Sequence, residues 1–252
     1  MLKRALLLAA ALTMPLAAAQ AVPADTAAAV AAPGRPEAAV AMDAGRKPAE
    51  VLSFGGLQRG DRALDLFTGS GYFAEIMGRA VGPEGRVTAW QPANFLNERS
   101  VTGLNELKTR TPNVSWFAAP GDALTLPANA YDFAVINLNY HDTYWESTRF
   151  RFPRVDPAAF LATVFQSLKP GGSILVIDHV ANAGGETRAV VEALHRIDPA
   201  TVRADFERAG FEFVGSSDVL RNPADDHTKG VFDPAIRGNT DRFVYRFRRP
   251  RR

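Results

Sequence analysis

The stretch Ala63-Leu64-Asp65-Leu66-Phe67-Thr68-Gly69-Ser70-Gly71-Tyr72-Phe73 decides how this chain is read. It begins as an apolar strand carrying one acid and then enters a turn, punctuated by two glycines, that opens a helix. Glycine at 69 and 71 lets the backbone turn sharply and lets a ligand approach closely, and the helix N-terminus behind the turn offers free N–H groups. The stretch reads as a cradle for a nucleotide-like cofactor.

Outward from this cradle the chain alternates strand and helix, which argues for a parallel sheet covered on both faces. Strands are expected at 62–66, 86–90, 114–118 and 131–138, with helices at 72–81 and 94–109 and a break at Gly82-Pro83-Glu84-Gly85. Asp156 caps a further helix with Pro157 at its first position. That helix presents Phe160, Leu161, Val164, Phe165 and Leu168 at helical spacing and stops at Lys169-Pro170-Gly171-Gly172. The unbroken apolar run Ile174-Leu175-Val176-Ile177 belongs at the sheet centre. Asp198 and Pro199 repeat the capping device, and Gly210 ends that helix. No helix is readable between the last two strands, at 212–216 and 242–248, so they must be antiparallel to each other. The expected fold is α/β: a Rossmann-like, seven-stranded, mostly parallel sheet with a C-terminal antiparallel hairpin. The polar segment 221–241 is too long for a mere connector and is expected to form a lid.

The N-terminus divides the 252 residues further. Met1-Leu2-Lys3-Arg4 precedes an apolar run to Ala19 with a small-x-small site at Ala19-Gln20-Ala21, the pattern of a signal peptide over 1–21. The run is too short for a membrane span, so no stable membrane insertion after cleavage is expected, and a periplasmic or secreted location follows. Residues 22–43 are rich in alanine and proline and are expected to be a disordered linker, leaving 44–252 as one domain. There is no cysteine, hence neither a disulfide nor a lipid-bearing cysteine. Excision of 1–21 removes Lys3 and Arg4 and leaves 27 basic against 27 acidic residues. A neutral mature chain gives no case for nucleic-acid binding, and the arginines at 246, 248, 249, 251 and 252 read as a solvated tail.

Gly69-Ser70-Gly71-Tyr72-Phe73-Ala74 formally satisfies the dinucleotide pattern, but Asp65 stands four residues before the first glycine. A carboxylate at that strand end suits a ligand carrying a free ammonium group. Here the chain resembles the class I S-adenosylmethionine-dependent methyltransferases, whose first motif is an acid, three residues, then G-x-G. The resemblance covers about Pro48 to Arg248 and is nearest to a group of exported, predicted methyltransferases. It rests on Gly71-Tyr72, Asn139-Tyr140-His141-Asp142-Thr143 and Leu168-Lys169-Pro170-Gly171-Gly172. It implies S-adenosylmethionine as cofactor, with Asp65 near the methionine moiety, Gly69 and Gly71 giving backbone access, and Asp122, beside Ala123, accepting from the adenine amino group. At the end of the second strand, where the family has an acid on the ribose hydroxyls, this chain has Gln91. An amide oxygen accepts more weakly there than a carboxylate would.

A second constellation, Asn137-Leu138-Asn139-Tyr140-His141-Asp142, leaves the carboxyl end of strand four, the edge where open α/β sheets bind ligands. His141 is expected as a general base on a small-molecule substrate, oriented by Asp142, because an ordinary imidazole titrates close to working pH. Tyr140 is expected to stack on substrate or cofactor. His179 and His227 are expected to reach the same edge, so that three of the four histidines share a cleft, whereas His195 reads as a helix-surface or packing residue. No short spacing such as His-x-x-x-His occurs, and no metal is expected. The leading functional reading is methyl transfer to a small molecule. Its alternative is a methyltransferase-like fold used as a non-enzymatic ligand- or partner-binding protein, with a dinucleotide oxidoreductase or metal hydrolase behind both. An exported enzyme has no evident supply of a donor made inside the cell. The sequence does not define an oligomeric state.

Overall fold

The structure, a computed structural model, describes residues 21–251, so the expected signal peptide lies, but for Ala21, outside the described residues. The chain opens with three short helices, α1 (Thr26–Ala31), α2 (Glu37–Val40) and α3 (Asp43–Arg46), and then α4 (Pro48–Gly55). Strands and helices alternate from there as β1 (Arg62–Leu66), α5 (Tyr72–Val81), β2 (Arg86–Pro92), α6 (Glu98–Arg110), β3 (Val114–Ala119) and β4 (Tyr131–Asn137). The second half contains α7 (Pro157–Ser167), β5 (Leu168–His179), α8 (Thr187–Leu194), α9 (Pro199–Arg208), β6 (Glu212–Ser217) and β7 (Arg242–Arg248).

The seven strands form one sheet in the order β3-β2-β1-β4-β5-β7-β6, with β7 antiparallel to both of its neighbours. The period-2 alternation of β1 explains the two cores. Leu64 and Leu66 point to the face covered by α7 and α9, where Trp90, Ile136, Phe160, Phe206 and Phe247 gather. Ala63 points to the other face, beneath α4, α5 and α6, where Val51, Leu52, Phe73, Ile76 and Phe133 pack. β5 is longer than the apolar run 174–177 suggests: it pairs with β4 already at Leu168 and Tyr131, across a register shift before Phe133. The glycine pair at 171 and 172 therefore sits within the strand rather than ending the helix before it.

Residues 22–43, expected as a disordered linker, are folded against the domain. Their few apolar contacts are supplemented by polar anchors that composition does not weigh. Thr26 and Ala29 are buried, and the Thr26 hydroxyl donates to the Ala49 carbonyl at 2.9 Å. Arg35 forks onto both carboxylate oxygens of Asp43 at 2.7 and 2.8 Å, and Asp43 also accepts from the Tyr72 hydroxyl at 2.7 Å. The segment is thereby fastened to the first residue of the helix that follows the glycine turn. Among the described residues no helix is long and apolar enough to cross a membrane.

Candidate active site

Strand order reverses between β1 and β4, and the crevice beyond their carboxyl ends is where such sheets bind ligands. Both strands end in a bulky residue held at positive φ, Phe67 at 56° and Leu138 at 59°, a conformation that costs an L-residue about 1–3 kcal/mol. Phe67 is retained there by packing on Trp90 at 4.7 Å and on Phe160 at 5.9 Å between ring centroids. Leu138 is held by its N–H, which donates to the Ile177 carbonyl at 2.7 Å.

The turn after β1 is built around Asp65. Its Oδ2 accepts from the Thr68 hydroxyl at 2.6 Å and from the Ala74 N–H at 3.0 Å, so the carboxylate closes the loop onto the first turn of α5. Burial raises its pKa to about 7, against the lowering effect of those two bonds and of the Arg46 guanidinium. The two glycines differ. A Cβ on Gly71 would lie 2.3 Å from Leu107 Cδ2 of α6, whereas a Cβ on Gly69 would meet nothing within 4 Å. Gly69 is thus the position open to a ligand, and Gly71 is needed for helix packing. Gln91, buried at the end of β2, accepts the Gly69 N–H through Oε1 at 2.7 Å. Its amide oxygen is engaged in bracing the turn, which leaves one lone pair and its N–H groups to address a ribose. Asp122 and Ala123 lie exposed on a single 3-10 turn after β3. Asn137, the half-buried last residue of β4, pairs in register with Ile177.

A cavity of about 1120 Å³ opens at this same edge of the sheet. Phe95, Trp145, Phe150 and Phe232 supply aromatic walls, α3 and the residue before it close one side through Arg46 and Met42, and Leu138, Asn139, His141 and Asp142 enter from the loop after β4. Its volume suits a small organic molecule. None of Asp65, Gly69, Gly71, Gln91, Asp122, Ala123 or Asn137 lines it. The expected cofactor residues and the cavity lie at the same edge of the sheet, and Arg46, which lines the cavity, is near enough to act electrostatically on Asp65.

The polar chemistry of the cavity centres on His141. A single 3-10 turn over His141–Tyr144, closed by the Asn139 side chain donating to Asp142 Oδ2 at 2.7 Å, presents His141 and Asp142 together. Asp178, at the end of β5, accepts the His141 backbone N–H at 2.9 Å and contacts Nδ1 of its ring at 2.8 Å. The orienting acid is therefore Asp178 and not Asp142, which lies 3.6 Å from Nε2 on the opposite side of the ring. Burial pushes the imidazole down, but the Asp178 and Asp142 carboxylates outweigh it and raise its pKa to about 9. Burial pushes the Asp178 carboxylate up, and the neighbouring imidazolium overcomes this and holds it below the usual range. At neutral pH His141 thus holds a proton and donates. It is not the free base that its ordinary pKa suggested.

His179 also lines the cavity, bonded through Nδ1 to Thr240 Oγ1 at 2.6 Å, and burial lowers its pKa to about 3. The third histidine is His195 and not His227. His195 ends α8 in the left-handed conformation (φ 51°, ψ 46°), so its ring leaves the helix surface and turns into the cavity, 5.5 Å from His141. Asp198 and Pro199, which open the next helix, were the sequence signal that α8 stops before 195. His227 instead bridges Asn182 and Asp241 at 3.0 Å each. Tyr140, expected to stack on a ligand, points into the core: it is fully buried and its hydroxyl donates to Asp205 at 2.8 Å. The segment 221–241 is tied down at Asp225 by Arg196 and at Asp241 by Arg221, and contributes Val231, Phe232 and Thr240 to the cavity wall.

Sheet order, glycine turn and carboxyl-edge cavity together define the fold of the class I S-adenosylmethionine-dependent methyltransferases. A family profile, Protein-L-isoaspartate(D-aspartate) O-methyltransferase, matches residues 33–137, which span the cradle and β1 to β4. The chain is similar to the ubiquinone/menaquinone biosynthesis C-methyltransferase UbiE of Serratia proteamaculans, 30% identical over 125 residues, or 49% of this chain and 44% of that protein. The match therefore spans less than half the length of that relative. A SAM-dependent methyltransferase of Aquifex aeolicus superposes with a TM-score of 0.57 at 20% identity, over 80% of this chain and 88% of that one. The 1,6-didemethyltoxoflavin-N1-methyltransferase of Burkholderia thailandensis, solved with its substrate and S-adenosylhomocysteine, superposes at 0.54 and 18% identity, over 85% and 79%.

Proposed function

We propose that this protein transfers a methyl group from S-adenosylmethionine to a small molecule held in the cavity. The observation that carries this reading is the placement of the Asp65 and Gly69 turn beside an aromatic-walled cavity at the β1/β4 crevice. The turn fits an adenosyl amino acid in two respects: a buried carboxylate that an ammonium group would favour in its charged form, and an open face at Gly69. It departs in one, because Gln91 brings no charge to the ribose and already accepts from Gly69. When bound, the cofactor supplies an electrophilic methyl on a sulfonium. Asp65, Gly69, Gln91, Asp122, Ala123 and Asn137 are the residues assigned to holding it, with Gly71 packing the turn against α6. The cavity would position an apolar or aromatic acceptor, exclude water, and offer His141 and Asp142 to its heteroatom.

The likeness to toxoflavin and quinone methyltransferases supports a flat, ring-containing acceptor, as do the four aromatic side chains on the walls. Export to the periplasm or beyond is part of the same proposal and rests on residues 1–21 alone. Calorimetric titration of the mature chain with S-adenosylmethionine and S-adenosylhomocysteine tests the reading. Micromolar binding of both, lost in Asp65→Ala, is expected. Absence of binding to either would remove methyl transfer and leave a ligand-binding protein on a methyltransferase scaffold.

A further inference from the structure

Three side chains that line the cavity converge in a way that methyl transfer does not require. We propose that His141, Asp142 and His195 form a divalent-metal site, with Zn²⁺ the ion their chemistry suits and one coordination position open to the cavity. Asp142 Oδ1 lies 3.6 Å from His141 Nε2 and 3.9 Å from His195 Nδ1, and one donor atom from each of the three residues falls within 4.8 Å of the others. Tetrahedral zinc, with bonds of about 2.0–2.1 Å, holds its ligands about 3.3 Å apart. The two separations to Asp142 would contract by about 0.3 and 0.6 Å to reach that spacing.

The surroundings of the three donors are those of a ligand set. The carboxylate of Asp178 engages Nδ1 of His141 at 2.8 Å, which fixes the ring and leaves Nε2 to coordinate, the arrangement that a carboxylate behind a metal-bound histidine provides. Asn139 holds Oδ2 of Asp142 at 2.7 Å and so leaves Oδ1 facing the two imidazoles. His195 is set by its left-handed backbone and packed between Trp145 and Phe232, at 5.3 and 5.1 Å between centroids.

Electrostatics point the same way. Asp142 is 5% exposed and Asp178 fully buried, and the two carboxylates flank the His141 ring at 3.6 and 2.8 Å. Two buried carboxylates are stabilised far better by a cation in fixed coordination than by apolar surroundings. Two imidazole nitrogens and a single carboxylate oxygen favour zinc over magnesium or calcium, which select oxygen ligands. With three protein ligands the fourth position would accept water or a heteroatom of the molecule in the cavity. The proposal does not rest on methyl transfer and stands if no methyl donor binds.

The test uses the full chain, stripped with a chelator and desalted, and titrated with ZnCl₂ by calorimetry. Substitution by Co²⁺ gives the visible absorption of a four-coordinate site as a second readout. One equivalent is expected at micromolar affinity or tighter, and elemental analysis should return one zinc per chain. His195→Asn, tolerated by the left-handed backbone, and Asp142→Asn should each weaken binding by about a hundredfold or more while the metal-free protein melts as the parent does. Asp178→Asn, a positioning change, should weaken it by about 10–100-fold without altering the stoichiometry. Absence of saturable zinc binding overturns the proposal. So does binding that both His195→Asn and Asp142→Asn leave unchanged, since the ion would then be held elsewhere.

Discussion

The two glycines of the turn should separate cleanly on substitution by alanine. At Gly71 (φ 83°) the left-handed backbone costs a residue bearing a Cβ about 1–2 kcal/mol. The new methyl would also lie 2.3 Å from Leu107 Cδ2, and such overpacking adds about 1–3 kcal/mol as α6 shifts. A gain of about 0.4–1 kcal/mol from the stiffer unfolded chain offsets part of this, leaving a loss of about 2–4 kcal/mol. At Gly69 (φ 60°) only the backbone term applies, because the methyl projects into open space, and the net loss is about 1 kcal/mol or less. For a domain of this size each kcal/mol moves Tm by roughly 2–4 °C. Gly71→Ala should therefore melt on the order of 10 °C below the parent, and Gly69→Ala within a few degrees of it. Affinity for S-adenosylmethionine should divide the other way, falling at least about tenfold, or about 1.4 kcal/mol, in Gly69→Ala and little in Gly71→Ala measured well below its melting point. Circular-dichroism melts with and without S-adenosylhomocysteine, together with calorimetry, decide both points. A Gly71→Ala protein as stable as the parent would refute the packing argument, and a Gly69→Ala protein with undiminished affinity would show that no ligand approaches the open side of the turn.

Three other expectations follow from single contacts. Asp65, faced by the Thr68 hydroxyl, the Ala74 N–H and the Arg46 guanidinium, keeps a proton to about pH 7 in the free protein. Because that pKa is raised, its contribution to stability is complete below the unfolded value near 3.8 and is lost as pH rises through about 7. The ligand-free Tm should decline over that interval while affinity for a ligand bearing an ammonium group increases, and Asp65→Asn should flatten both profiles; parallel profiles would exclude Asp65 as their source. Arg196 is fully buried and forks onto Asp225 at 2.8 and 2.9 Å, so Arg196→Met strands a charge and should cost about 3–5 kcal/mol. Hydrogen exchange should then accelerate across 221–241 before the sheet, and uniform acceleration would contradict the pinning described above. Tyr140→Phe leaves Asp205 its bonds from Tyr144 and Arg208 and should cost about 0.5–1.5 kcal/mol with ligand affinity unchanged, whereas a tenfold loss of affinity would return Tyr140 to the site.

How much of this was legible in the sequence depends on the range of the physics involved. Strands and helices with an internal period or a local cap, such as Asp156 with Pro157, were readable because neighbours in sequence determine them. The antiparallel ending followed from the missing crossover helix and is observed. What escaped depended on partners remote in sequence. Asp178 approaches His141 across 37 residues because β4 and β5 are adjacent in the sheet, and His141 consequently has an orienting acid and a pKa that no local reading supplies. His195 read as a helix-surface or packing residue, but α8 ends at Leu194 and His195 takes the left-handed conformation that turns it inward. Residues 22–43 failed a test of apolar content although their ordering is largely polar, through Arg35, Asp43 and Tyr72.

The strained residues bear on why the site has two compartments. Phe67 and Leu138 occupy the first positions after β1 and β4, and a glycine at either would relieve the left-handed backbone at once. Each side chain is instead used. Phe67 closes the core under the glycine turn, while Leu138 forms part of the cavity wall and redirects the chain so that Asn139, His141 and Asp142 face inward. On the β4 side the bonds that offset this strain come from one strand: the Ile177 carbonyl accepts from Leu138, and Asp178 accepts from His141. β5 therefore acts as a rigid template for the β4 loop, fixing the polar groups of the cavity independently of the turn that Asp65 organises. His141 is thereby held by β5, Asp142 by Asn139 and His195 by the end of α8, none of them through the turn that Asp65 organises. His141 and Asp142 thus sit on a short turn braced by a neighbouring strand, and such bracing is what metal coordination and the orientation of an acceptor both require.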